Sequence, residues 1–269
     1  KKTSILATND FKTHQSLKKY YDKYLDSHEC LSDEECTFCD QKDHGTHCTG
    51  IIGALANNNR GISGINWNSD LYFTTGWYYT IPEDGQLEKV FTVNGLKYSI
   101  AHMVMSGCRV ISISIGSSSS STTTIYENSI IKEYDYLIKK LEEYGYDFLI
   151  VKSAGNNNDD ASNYIINRIM TGGECARAHT IIVGATANAS SIKNRLSSWI
   201  SKTEKIYNMS SYSNYGSIVD ITAPGSNIYS TISGNSYKNM SGTSMATPIV
   251  AGVASLLYSI RPDLTYDNV

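Results

Sequence analysis

Three short stretches hold side chains able to do acid–base or nucleophilic chemistry. Asp43-His44-Gly45-Thr46-His47-Cys48-Thr49-Gly50 places a histidine at the entry to a segment of small residues. An imidazole titrates near neutrality, which suits a general base facing a cleft. A structural histidine or a metal pair is the competing reading, but no His-Glu-x-x-His pattern accompanies His44 and His47, which disfavours zinc. Gly242-Thr243-Ser244-Met245-Ala246-Thr247-Pro248 places a serine at the start of a long apolar segment. If that segment is a helix, its first N–H groups point at the serine and can stabilise an oxyanion. Alone, this would be an ordinary N-cap serine. Ala246 replaces the second glycine of a Gly-x-Ser-x-Gly elbow, which argues against a lipase or esterase. In Ser153-Ala154-Gly155-Asn156-Asn157, an asparagine after a buried strand can donate an amide N–H into a cleft, or it can be a plain turn residue.

These stretches need elements to hold them. Short apolar runs at Ile5–Ala7, Asp70–Thr75, Arg109–Ile115, Asp147–Val151 and Thr180–Ala185 read as strands, and near-continuous apolar strands are buried on both faces of a parallel sheet. Between them, Gly45–Ala56, Leu87–Ser106 and Tyr126–Tyr144 read as helices, the last two with apolar residues near helical spacing. The alternation predicts an α/β fold: a doubly wound, mostly parallel central sheet with helices on both faces, in three layers. Ligands in such folds bind at the carboxyl ends of strands, which Gly116 and Gly155 mark. The Ser/Thr run from Ser117 to Thr124 reads as a flexible surface loop.

At 269 residues and 29.7 kDa, with no linker or repeat, the chain is expected to form one domain over 1–269. A chain of this size buries about 75% of its unfolded surface and needs no disulfide or metal to fold. Charged residues make up 18% and the net charge is −3, without a polybasic footprint, so nucleic acid and anionic membranes are poor partners. The apolar segment Met245–Ile260 is interrupted by Thr247, Pro248, Ser255 and Tyr258, and reads as a buried helix with no membrane span. Lys1-Lys2 leads into an apolar run too short for a signal peptide. The chain is either intracellular or trimmed from a longer one, and the motifs favour trimming.

Together, in the order His, Asn, Ser, the three stretches resemble the subtilisin family of serine proteases (subtilases). Asn57–Gly64 resembles the family's loop after the histidine helix, Ser112–Gly116 its substrate-lining strand, and Ala223-Pro224-Gly225 the segment before the serine. Cys48 resembles the thiol-containing, proteinase K-like branch. The resemblance runs from about Thr3 to Leu264. It implies that His44 is general base and then general acid, that Ser244 is the nucleophile, and that Asn156 with the Ser244 N–H forms the oxyanion hole. It also implies that Ser114, Ile115 and Gly116 hold the substrate backbone as an added strand, with Ser153, Ala154 and Gly155 lining the site. Polypeptides would be the substrates. An inhibitory pro-segment and an extracellular or secretory location are expected on the same grounds. Asp159 and Asp160 could attract a basic side chain, although a solvated loop fits them better.

One position departs from the family pattern. The triad aspartate ends the first strand, with a His and a Leu downstream. Aligning His14 and Leu17 with that pair puts Ala7 at the aspartate's place and Thr8 beside it. Asp10 could serve only if Thr8 and Asn9 entered the buried strand. With Ala7, the second ring nitrogen of His44 loses its orienting acceptor and the imidazolium its counter-charge, so the chain is expected to be nearly inactive. Either Ala replaced an aspartate in an otherwise active protease, or the protein is a pseudoprotease that binds peptides without cutting. The intact His44, Asn156 and Ser244 favour the first.

Cys30, Cys36 and Cys39 lie in an acidic insertion. A lone Cys-x-x-Cys is weak for zinc, and a disulfide of Cys30 with Cys36 or Cys39 is preferred, with the pairing open. The resemblance also implies structural calcium near Asn57 and Asn59, although Ser16 stands where a ligand aspartate is expected. Asn188, Asn208 and Asn239 begin Asn-x-Ser sequons, which matter only in a eukaryotic secretory pathway.

Overall fold

A computed structural model describes residues 43–74, 77–80, 88–91, 93–117, 120, 124–187 and 208–269. Ala7, Thr8, Asp10, Ser16 and the Cys30, Cys36 and Cys39 cluster lie outside the described residues. In chain order the elements are α1 (His44–Gly53), β1 (Trp77–Thr80), β2 (Glu88–Phe91), α2 (Val93–Met105) and β3 (Val110–Ile113). There follow α3 (Ile125–Glu143), β4 (Leu149–Ser153), α4 (Ile165–Thr171), α5 (Glu174–Ala178) and β5 (Thr180–Thr186). The last are β6 (Ile221–Pro224), β7 (Ile228–Ile232), β8 (Ser236–Met240) and α6 (Thr243–Ile260).

β3, β4, β5 and β6 form a parallel sheet in that order, with Val110 opposite Leu149, Ile150 opposite Thr180, and Val183 opposite Ile221. Helices cover both faces, giving the three-layer α/β architecture expected from the alternating pattern. On one face, α2, α3 and α4 bring Ile100, Tyr134, Ile138 and Ile169 onto Ile111, Ile113 and Ile150. On the other, Val151, Val183 and Ala185 meet Ala246, Ala251 and Ala254 of α6, with Ile52 of α1 beside them. The alanines of α6 let it lie close to the sheet. Side chains alternate along a strand, so Lys152 shares the face of Ile150 and is directed toward α4.

Two expected elements differ. Residues 70–74 adopt no regular structure, so the strand expected at Asp70–Thr75 is not formed there. The helix expected over Leu87–Ser106 begins only at Val93; Glu88–Phe91 instead pairs antiparallel with Trp77–Thr80. A strand partner overrides helical spacing when aromatic and β-branched residues are available to pair. The β7–β8 hairpin was not read from the sequence, although its left-handed Gly234 and Asn235 (φ 69° and 61°) form a Gly-Asn turn that could have indicated it. The Ser117–Thr124 run is anchored at its described residues. Ser120 N–H donates to Asn163 O, and Thr124 caps α3 in a reciprocal box with Glu127.

α6 is the one helix among the described residues with the length and composition to cross a membrane. It packs one face against α1 and all four strands of the parallel sheet, while Val253, Leu257 and Ile260 are exposed on its outer face, so the expected buried helix is buried on one side only. α1 lies against β7 so closely that a Cβ on Gly50 would sit 2.2 Å from Thr231 Oγ1 and 2.6 Å from Ser230 Oγ. Ser230 and Thr231 use those hydroxyls to bond the carbonyls of His47 and Thr46. Gly50→Ala is therefore expected to cost about 1–3 kcal/mol of stability, read by urea denaturation; an unchanged midpoint would show that α1 can back away from β7.

Candidate active site

Ser244 is the second residue of α6, and its main chain is held in an unusual way. In a helix, the carbonyl of residue 244 accepts from the N–H of residue 248. That residue is Pro248, which has no N–H. The Ser244 carbonyl accepts instead from the Cys48 thiol at 3.2 Å and the Ser114 hydroxyl at 3.1 Å. Two separate elements thus close on the serine. Cys48 lies four residues after His44, on the same face of α1. The contact therefore turns the His44 face of α1 toward Ser244. Asp43, just before His44, is left-handed (φ 64°), and its carboxylate accepts from Ser233 N–H at 3.0 Å, which fixes where the helix starts.

The Ser244 hydroxyl donates to Ser114 O at 3.4 Å, a long contact that is readily exchanged. Of the residues expected to bind substrate, Gly116, Ser153, Ala154 and Gly155 line a cleft of about 120 Å³ that also contains Asn156 and Ser244. Ser114 is engaged with Ser244, and Ile115 packs against the core beneath α2 and α3.

Asn156 is oriented by its neighbours. Thr243 N–H donates to Asn156 Oδ1 at 2.8 Å and the Thr243 hydroxyl at 2.9 Å. A backbone N–H can only donate, so the atom facing it is the amide oxygen and Nδ2 points away into the cleft. A Cβ on Gly242 would lie 3.2 Å from Asn156 Nδ2 and 3.6 Å from Ser244 N, so the two nitrogens flank one small space. That arrangement can hold an oxyanion. Gly155 makes the turn possible with φ 112°, and a Cβ there would sit 2.4 Å from Asn214 Nδ2.

Asn214 and Thr243 were not singled out from sequence. Asn214 is fully buried; its Oδ1 accepts from Asn157 N–H and Asp159 N–H, and its Nδ2 donates to Ala154 O. It shapes the loop that carries Asn156, and no sequence signal separates it from other turn asparagines. Asp159 and Asp160 serve the same loop: Asp160 Oδ1 accepts from Ser162 N–H and Ser162 Oγ, and Asp159 Oδ1 from Asp160 N–H and Asn163 Nδ2. Neither lines the cleft. Position 7 lies outside the described residues.

The Asn57–Asn59 segment lines a separate concavity of about 390 Å³ running from Leu55 to Ser63. Asn57, Asn59 and Gly61 are all left-handed, and Asn58 Oδ1 already accepts from Arg60 N–H. The donors here are neutral oxygens beside an arginine, and no carboxylate among the described residues lines the loop. Calcium affinity is set largely by ligand charge. The described loop therefore does not fit a calcium ion by itself.

His47 is structural. It is fully buried, and its Nε2 lies 3.0 Å from both Ile228 O and Lys238 O, so Nε2 carries the proton and ties α1 to the β7–β8 hairpin. Its Nδ1 is buried without a partner among the described residues. Among the described residues, Cys108 and Cys175 form no disulfide.

The family profile described as the Subtilase family matches residues 4–269. Thermitase from Thermoactinomyces vulgaris is 33% identical over 216 residues, covering 80% of this chain and 61% of that protein. Subtilisin-like protease 1 from Plasmodium falciparum is 34% identical over 235 residues, covering 86% of this chain and 30% of that protein. Among solved structures, a cold-adapted subtilisin-like serine proteinase superposes with a TM-score of 0.54 at 26% identity, covering 83% of this chain and 63% of that one. Sphericase superposes with a TM-score of 0.57 at 25% identity, covering 85% and 67%. The chain thus spans less than two thirds of the curated relatives named here.

Burial, the larger influence, pushes the His47 pKa below its ordinary 6.5, against the raising effect of the two carbonyl hydrogen bonds. The unfolded chain then binds more protons on acidification. The contribution of His47 is fully present above about pH 6.5 and is lost as pH falls through the lower folded value. Denaturation midpoints measured from pH 8 to pH 5 should fall below about pH 6.5, and His47→Gln should flatten that slope; an identical slope in the variant would assign it to other groups.

Proposed function

The chain belongs to the subtilase family, and on that footing we propose that it is a serine endopeptidase acting by acyl transfer at Ser244, with turnover suppressed by Ala7 at the place of the triad acid. The observation that supports the chemistry best is the shared fixing of Ser244 and Asn156 around one small space. In this reading His44 removes the proton from Ser244 Oγ as that oxygen attacks a peptide carbonyl. The carbonyl oxygen becomes an oxyanion between Asn156 Nδ2–H and Ser244 N–H. The imidazolium of His44 then protonates the leaving amine, and water repeats the sequence on the acyl-enzyme. Among the described residues, the contact the hydroxyl gives up when it turns to the base is the 3.4 Å one with Ser114 O.

Ser114–Gly116 would pair with substrate main chain, and Gly116 with Ser153–Gly155 would flank the side chain of the residue bearing the scissile carbonyl. A removable pro-segment as inhibitor and a secretory or extracellular location follow from family membership alone, and both belong to the proposal. So does calcium, which would need an anionic ligand in addition to the neutral oxygens of the Asn57–Asn59 loop. The second reading, a binding-only relative, is favoured by one feature, Ala7 itself.

Casein hydrolysis by this chain beside Ala7→Asp tests the proposal. Turnover should rise by about 10⁴, the order of magnitude lost when such a triad loses its acid. Asn156→Leu in the Ala7→Asp background should then lower kcat by about 10²–10³. Two folded but inert proteins would support the binding-only reading, and full activity of the unmodified chain would point to Asp10 as the acid.

A further inference from the structure

Lys152 is the anomaly of the site. It stands near the end of β4, the strand that leads into Asn156, and is 1% exposed. Its Nζ donates to the carbonyl of Ser153 and, at 3.2 Å, to Ser153 Oγ. An ammonium has three N–H donors, which leaves one unassigned. Among the described residues Lys152 takes part in no ion pair. A buried ammonium without a counter-charge is costly to keep, and an aliphatic side chain would suit the core of a parallel sheet better.

The lysine is buried in the wall of the cleft and not in sealed core. It lines the same cleft as Gly116, Ser117, Tyr164, Asn167 and Ser244. The nearest acidic loop is otherwise occupied: Asp159 accepts from its own turn and from the Tyr164 hydroxyl, and Asp160 from Ser162. Asn167 uses its Nδ2 on Ala154 O and Ala161 O, which holds the loop in shape around the cleft. At about 120 Å³ the space is far larger than the ~10–15 Å³ needed by one water, so a side chain can enter.

Resting on the endopeptidase reading, we propose that Lys152 makes this cleft a receptor for an acidic side chain, so that the preferred substrate carries Asp or Glu on the acyl side of the bond to be cut. The carbonyl attacked by Ser244 lies between Ser244 and Asn156. The side chain on the same residue enters the cleft that those two share with Lys152. A carboxylate there supplies the missing counter-charge and an acceptor for the remaining N–H. Burial alone lowers the Lys152 pKa to about 7, so the free site holds a readily reprotonated amine that a bound carboxylate would hold in its charged form.

The test is kcat/KM of the full chain carrying Ala7→Asp on one peptide scaffold with Glu, Gln, Asp, Asn or Leu at that position. Glu and Asp should exceed their near-isosteric amide counterparts by at least tenfold, since the amide lacks the charge and turns an N–H donor toward the ammonium. Adding Lys152→Met should abolish that ratio. The comparison between peptides needs no lysine variant to fold. Cleavage with equal rates for Glu and Gln, or a preference that survives Lys152→Met, overturns the assignment of Lys152 and leaves the peptidase reading standing. If no peptide is cleaved, the peptidase reading fails. The same peptides are then titrated against the unmodified chain by fluorescence polarisation, where Glu binding at least tenfold tighter than Gln upholds the receptor, and equal or absent binding overturns it.

Discussion

The carbonyl oxygen of Ser244 is where the molecule's parts meet. Pro248 removes the helix donor that would normally bond it, and a half-buried carbonyl is left to find another. It finds two, the Cys48 thiol from α1 and the Ser114 hydroxyl from the end of β3. The helix carrying the candidate base, the strand carrying the candidate substrate ledge and the helix carrying the nucleophile are thereby tied at one atom. The alanine-rich seam under α6 and the glycine contact between α1 and β7 bring those elements close enough for the bonds to form.

Asn156 shows the same economy on the other side of the serine. Thr243 is both the first residue of α6 and the group that holds the asparagine's oxygen. One interaction satisfies an orphan N–H at the helix start and turns Nδ2 toward the cleft. The helix terminus and the side-chain donor are therefore aligned before any substrate arrives, which is what an electrostatic site requires. Asn214 supports this from behind by fixing the loop between Ala154 and Asp159.

Family membership and catalytic competence are separate questions for this chain. The fold and the family profile are those of a subtilase, whereas the roles of Ser244, Asn156 and His44 and the departure at Ala7 belong to the proposal. A site can keep its oxyanion donors and nucleophile in place without the carboxylate that orients the base, and it then retains geometry while losing rate. Lys152 adds a feature of its own, a buried amine that the framework does not need and that lines the same cleft as Ser244.

The sequence by itself determined the class of the fold, because apolar runs such as Leu149–Val151 and Thr180–Thr186 carry a local signal that burial on both faces enforces. It also singled out His44, Asn156 and Ser244 as candidates, because each stands in a short motif that contains glycine. It misjudged Glu88–Phe91, where a strand partner outweighed helical spacing, and it was silent on Asn214, Thr243 and Lys152. Those three take their roles from neighbours 57, 87 and 92 positions away: Asn157, Asn156 and Ser244. Tertiary structure decided them because a hydrogen bond or a shared cleft between distant residues has no local signature; it exists only once the sheet and α6 have closed on one another.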